Sequence, residues 1–226
     1  MKKFTIIVVI VLVSIEIQAQ KLSFGIEAGG NSTVPLVISK YAVEGTTKLA
    51  PWFGYYIGGY AKYMLNEKRS LKFFVQGEKR SVHTVGGIQL SLPPPGGEPL
   101  EKINLIISNS YLNLGALYLF SLSKKVELGF GINNHILLYS TSYSKQLKNL
   151  QYPAIYPNIS KTGRYKNEYF KTYLVSIPVQ LIITIDRFAI CPSLDLGLMN
   201  RINNSGGVYK QFEYTAQLGV SYTLKK

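Results

Sequence analysis

The chain has 226 residues, with 25 Lys or Arg against 12 Asp or Glu, a formal charge of +13, 17 Tyr and one Cys. That length suits a single all-β domain, and a lone cysteine excludes an internal disulfide. After the N-terminus no stretch reaches 18 uninterrupted apolar residues, which excludes transmembrane helices.

The first element is a leader. Lys2 and Lys3 precede an apolar run from Phe4 to Ile15, and Ile17-Gln18-Ala19 supplies a cleavage site. This is the layout of a secretory signal peptide over residues 1–19, leaving 20–226 as the mature domain. The run is too short to span a bilayer as a helix, and Glu16 interrupts it. No cysteine stands at the cleavage site, which argues against a lipoprotein. An exported chain without disulfides fits a bacterial envelope. Loss of Lys2, Lys3 and Glu16 takes the charge from +13 to +12. Outside the cytoplasm that excess meets lipid phosphates or acidic glycans, and nucleic acid is not an expected partner.

Eight strands are predicted next, over 21–31, 52–65, 71–82, 110–121, 125–139, 171–184, 187–199 and 211–224. In "VELGFGINNHILLYS", Val126, Leu128, Phe130 and Ile132 alternate with Glu127, Gly129, Gly131 and Asn133. Successive side chains of a strand point to opposite faces, so one face is greasy and the other small or polar. The last strand repeats this, setting Tyr214, Leu218, Val220 and Tyr222 against Glu213, Thr215, Gly219 and Ser221. The fourth, "YLNLGALYLF", is apolar on both faces.

Short and long connections alternate strictly. The segments 66–70, 122–125 and 185–186 are hairpin-sized, and long links over 32–51, 83–109, 140–170 and 200–210 lie between them. Outer-membrane barrels show this asymmetry, with short periplasmic turns and longer extracellular loops, and an even strand count leaves both termini in the periplasm. A lipocalin-like soluble carrier has the same strand number with its faces inverted. Such a carrier would present Gly25, Gly29, Gly54, Gly58, Gly129, Gly131, Gly197 and Gly219 to water, with few lysines beside them. Inside a narrow barrel small residues make room for others. Aromatics also flank the aliphatic face: Phe53, Tyr55 and Tyr63 around Ile57, and Phe212, Tyr214 and Tyr222 around Leu218. The greasy face therefore points to lipid. The expected fold is an all-β, eight-stranded, antiparallel up-and-down transmembrane barrel in the bacterial outer membrane.

At this point "LKFFVQGEKR", "NSYLNLGALYLF", "KKVELGFGINN" and the closing "QLGVSYTL" resemble the PorT-like outer-membrane β-barrels common in Bacteroidetes. Asn113 and Gly115 stand where that family often has an acid and a proline. The resemblance covers most of the mature chain and implies the barrel. It also implies, as a candidate role, participation in protein secretion.

The predicted lumen face collects Glu27, Lys62, Glu78, Arg80, Glu127, Asp195 and Glu213. Charges sealed in a barrel must pair, so a structural salt-bridge network is expected there. His135 has lumen parity with Ser140 a few residues on, the raw material of a rim hydrolase acting on lipid or peptide, and His83 begins a loop. A structural histidine is the default, no catalytic residue is assigned, and the chain is read as no enzyme. No Cys/His spacing suits a metal, and no cofactor is expected. The loop 140–170 sets Lys145, Lys148, Lys161, Arg164 and Lys166 among Tyr152, Tyr156 and other tyrosines. Tyrosine supplies rigid contact area and Lys or Arg pairs with phosphate or carboxylate, so these residues are the candidate surface-binding set. Outer-membrane lipid and lipopolysaccharide are the expected partners, with envelope or secretion proteins as further candidates.

Overall fold

The computed structural model describes residues 22–39, 48–85, 105–143, 164–166, 170–202 and 209–225; the expected leader lies outside them. Among the described residues nine strands are present: β1 (Leu22–Ser39), β2 (Lys48–Asn66), β3 (Arg69–Val85), β4 (Leu105–Ser121), β5 (Val126–Tyr143), β6 (Arg164–Lys166), β7 (Tyr173–Ile185), β8 (Phe188–Gly197) and β9 (Tyr209–Lys225). Neighbours run in the order β4-β3-β2-β1-β9-β8-β7-β5, and a β4–β5 ladder closes the ring. Every ladder is antiparallel. The fold is thus a closed eight-stranded barrel, with no unpaired edge along its wall. The ninth strand, β6, falls inside the segment predicted as a loop and pairs with Thr141–Tyr143 at the end of β5.

Several strands outrun their predicted ends on the side of the long connections. β1 continues to Ser39, β4 begins at Leu105 and β5 ends at Tyr143. The 18 residues of β1, at ~3.3 Å each and tilted about 40°, climb ~45 Å, well past the ~25 Å apolar band of an outer-membrane barrel. The strands therefore stand above the membrane on that side. His83 is accordingly a β3 residue and not the start of a loop, its ring 5.2 Å from that of Trp52. The last short turn is residues 186–187, one residue later than predicted, because Ile185 still pairs with Phe188. Asp186 takes the left-handed φ of 57° that the turn needs, which Asp tolerates better than Ile.

The faces sort as the alternation requires. Phe53 (83 % exposed), Ile57 (65 %) and Leu218 (63 %) lie on the outside with Phe73, Phe130, Leu194 and Val220. Glu27, Lys72, Glu78, Arg80, Asp195 and Glu213 are buried inside. An apolar exterior around a polar, sealed interior inverts a water-soluble protein and suits lipid.

Inward glycines make room for inward rings. A Cβ on Gly219 would stand 1.9 Å from the Tyr56 hydroxyl, and one on Gly115 would stand 2.1 Å from the Phe74 ring. Phe74, Leu117, Leu119, Ile182, Ala189 and Cys191 form an apolar cluster across the turn-side half of the bore. That cluster explains why β4 reads as apolar on both faces: Leu117 and Leu119 point inward while Leu114 and Tyr118 do not. Gly115→Leu should therefore overpack this layer and cost about 1–3 kcal/mol. A urea titration of the refolded barrel, followed by the gel mobility of its folded band, reads that loss.

Candidate functional site

The long-connection half of the bore is filled by charge. Arg80 is its centre: Nη2 lies 2.9 Å from Glu78 and 2.6 Å from Asp195, and Nη1 donates to Glu213 at 3.3 Å. The guanidinium also lies 5.4 Å from the Tyr111 ring. β3 delivers Glu78 and Arg80, β8 delivers Asp195 and β9 delivers Glu213, each at an inward position of its strand. Glu78 is saturated, accepting from Asn31 at 2.8 Å, Gln217 at 2.8 Å and Asn113 at 2.6 Å besides Arg80. A buried carboxylate with every lone pair engaged forgoes little when it leaves water.

Arg201 closes the network from above. Its backbone N–H donates to Gln211 and its carbonyl accepts from Lys171, which ties the segment after β8 between two neighbours. The side chain then enters the bore, donates to Glu213, and lies 4.0 Å from the Phe170 ring.

His135 sits among these groups. Asn113 spends its amide N–H on Glu78, so its carbonyl oxygen faces His135 Nδ1 at 2.8 Å and needs a proton there. Ser176 donates its hydroxyl to Asp195, and Nε2 lies 2.7 Å from Ser176 Oγ and 3.1 Å from Asp195. Arg80 Nη2, 3.3 Å from Nδ1, is committed to carboxylates. Three carboxylates thus face two guanidinium groups, and Asp195 also lies within reach of the His135 ring.

A serine beside a histidine invites comparison with a hydrolase. The serine is Ser176, not Ser140: the slip between Ser110 and Tyr111 turns Ser140 into the bore, but five residues along the strand from His135, where it bonds Asn109. Ser176 gives its proton to Asp195 and not to the imidazole, which leaves His135 unable to act as its base. Ser176 and His135 are fully buried, and the cavity beside them measures about 10 Å³, the room of one water. No acyl group fits.

Nearer the short turns, Lys72 donates to Glu27 at 2.5 Å and to Gln180 at 2.8 Å, and Tyr56 donates to Glu27 at 3.2 Å. Below the apolar cluster, Lys62 bonds both oxygens of Glu127, at 2.7 and 2.6 Å. Glu27, Lys62, Glu78, Arg80, Glu127, Asp195 and Glu213 thus all face the bore, in three separate groups. Lys72 shares the inward parity of Glu78 and Arg80 on β3, which is the signal for it; Ser176 and Gln180 lie on β7, where the sequence reading names no lumen residue, and their signal is the alternation of that strand. Arg201 had none, since it follows the last alternating residue of β8. Of the candidate surface-binding set, Lys145, Lys148, Tyr152, Tyr156 and Lys161 lie outside the described residues. Arg164 and Lys166 bound the β6 strand. Among the described residues no group of three His, Cys, Asp or Glu is arranged to hold a metal.

The closed ladder, the apolar exterior and the charge-filled interior together define a small outer-membrane β-barrel protein. No family model and no curated protein matches the chain. Among solved structures it is similar to Ail, the attachment invasion locus protein of Yersinia pestis, crystallised with the heparin analogue sucrose octasulfate: 12% identity over 90% of this chain and 99% of that one, TM-score 0.47. It is also similar to Neisserial surface protein A, at 10% identity over 88% and 96% of the two chains with TM-score 0.47, and to OprG of Pseudomonas aeruginosa, at 10% over 90% and 96% with TM-score 0.39. At such scores these likenesses carry no argument, and the assignment to the class rests on the ladder and the two faces.

Proposed function

We propose that the protein is a non-enzymatic binding barrel, a membrane-held platform whose work is done at its two ends. The observation that carries this is the blocked bore: the Arg80 cluster, the Lys72–Glu27 pair and the apolar layer fill successive levels of it. A barrel that passes nothing and has no room for a substrate beside Ser176 acts through its rims. On the outer rim, the basic and tyrosine-rich residues Lys145, Lys148, Tyr152, Tyr156, Lys161, Arg164 and Lys166 suit phosphate-bearing lipopolysaccharide. On the inner rim a role in an envelope assembly, including protein secretion, is supported by the sequence resemblance to PorT-like barrels.

Two measurements test the reading. Reconstituted in planar bilayers, the barrel should give no conductance steps; steady single-channel openings would overturn the closed-bore premise. Replacing Lys145, Lys148, Lys161, Arg164 and Lys166 with Gln should weaken lipopolysaccharide binding at least tenfold at moderate salt. Unchanged binding would remove that ligand. Extraction in mild detergent from the native membrane then separates a stand-alone barrel from an assembly component by size.

A further inference from the structure

At the short-turn end the bore opens into a cavity of about 640 Å³, within the size range of ligand sites. Tyr60, Ile182 and Ala189 lie at its inner end, backed by the rest of the apolar cluster, so the cavity is a dead end. Its walls carry the hydroxyls of Ser23, Thr184, Ser221 and Thr223. The Lys62–Glu127 pair lies in the wall, with the two side chains 25 % and 13 % exposed. Glu67, Lys68, Lys124 and Lys125 come from the turns at the mouth.

Charge and shape restrict the occupant. Lys72 pairs with Glu27 above and Lys62 with Glu127, which leaves Lys68, Lys124 and Lys125 against Glu67 among the described residues that line the cavity. Arg69 and Arg187 add cations at this end of the barrel against Asp186. An acidic molecule is drawn to such a mouth. A plain acyl chain is disfavoured, because it would strip water from the part-exposed Lys62–Glu127 pair and return no hydrogen bonds. A peptide carries its own donors and acceptors. A dead end takes a chain terminus and not a passing strand, and a positive site takes the carboxylate terminus. Lys62 has three ammonium donors, and its hydrogen bonds among the described residues are the two to Glu127.

We propose that this vestibule docks the acidic C-terminal end of a periplasmic polypeptide, its terminal carboxylate received by Lys62 beside Lys68, Lys124 and Lys125. The inference rests on the reading of a closed binding barrel, but the two fail separately: that reading fails in conductance and this one in peptide capture.

The test uses the full-length mature barrel in detergent, immobilised and offered a pool of pentapeptides ending in Asp or Glu. The pool is supplied once as free acids and once as C-terminal amides, and retained peptides are counted by mass spectrometry. Free acids should be retained at least tenfold over amides. Ala189→Trp, which fills the inner end, and the charge-conserving pair Lys62→Gln with Glu127→Gln should each reduce retention at least fivefold. Both variants should keep the heat-modifiable mobility of a folded barrel on gels; if Ala189→Trp does not, Thr184→Trp, from the residue paired with Ala189 on β7, blocks the cavity instead. Equal retention of acids and amides, or retention untouched by the blocking variant, would show capture by surface lysines and overturn the proposal. So would an absence of any retained acid, or displacement of bound peptide by equimolar laurate, which would mark a lipid pocket.

Discussion

Arg80→Leu is expected to destabilise the barrel by about 3–5 kcal/mol, the cost of stranding buried charges by deleting their partner. Glu78, Asp195 and Glu213 all bond this one guanidinium, and none is near enough to water to solvate instead. Glu213 keeps Arg201, so Glu78 and Asp195 suffer most. Adding Glu78→Gln and Asp195→Asn to Arg80→Leu should therefore recover most of the loss, since neutral amides leave no stranded charge. Arg80→Lys should fall between, because an ammonium cannot fork toward three carboxylates at once. Urea unfolding of the refolded barrel, read by Trp52 fluorescence and by gel mobility, measures each step. A loss under about 1 kcal/mol for Arg80→Leu would mean that water already screens the cluster, and the bore would have to be counted as wet.

The same cluster marks the boundary of what a sequence can tell. Period-two alternation separates inside from outside, so the barrel, its direction and the inward parity of Glu27, Glu78, Arg80, Asp195 and Glu213 are legible from residues alone. Pairing between them is not, because register is set by ladders between strands distant in the chain: Arg80 meets Asp195 across 115 residues. One slipped residue is enough to mislead. The irregularity between Ser110 and Tyr111 turns Ser140 toward Asn109, and Ser176, on another strand, meets His135. Strand ends were read short for a different reason. Above the lipid the alternation fades: 105–107 is an unbroken Leu-Ile-Ile and 140–142 an unbroken Ser-Thr-Ser, so both resemble links although they continue the ladders. Arg201 is the extreme case, an inward charge placed by backbone bonds from neighbours and not by its own strand.

Leu218→Arg decides whether the exterior is solvated by lipid or by water. Leu218 lies between the aromatic positions Tyr214 and Tyr222 of β9, opposite Gly30 on β1, and is 63 % exposed. At the middle of a bilayer an arginine on the lipid face costs ~2–4 kcal/mol, and near the interfaces only ~0–1. The expected result is thus a gradient: Leu218→Arg loses ~2–4 kcal/mol in lipid vesicles, while Tyr222→Arg, close to the short turns, loses much less of its charge penalty. A water-facing sheet has no such depth dependence, and an exposed Leu→Arg change there stays within about 0.5 kcal/mol. Repeating the titration in short-chain detergent provides the control, because a thin, fluid micelle lets the guanidinium reach water. Equal, small effects at both positions in vesicles would return the barrel to the soluble carriers, with the apolar exterior then needing a protein cover. A penalty that peaks at Leu218 and fades toward Tyr222 identifies the solvent as a bilayer, which makes the charged bore the polar interior of the described residues and the two rims the surfaces through which the barrel works.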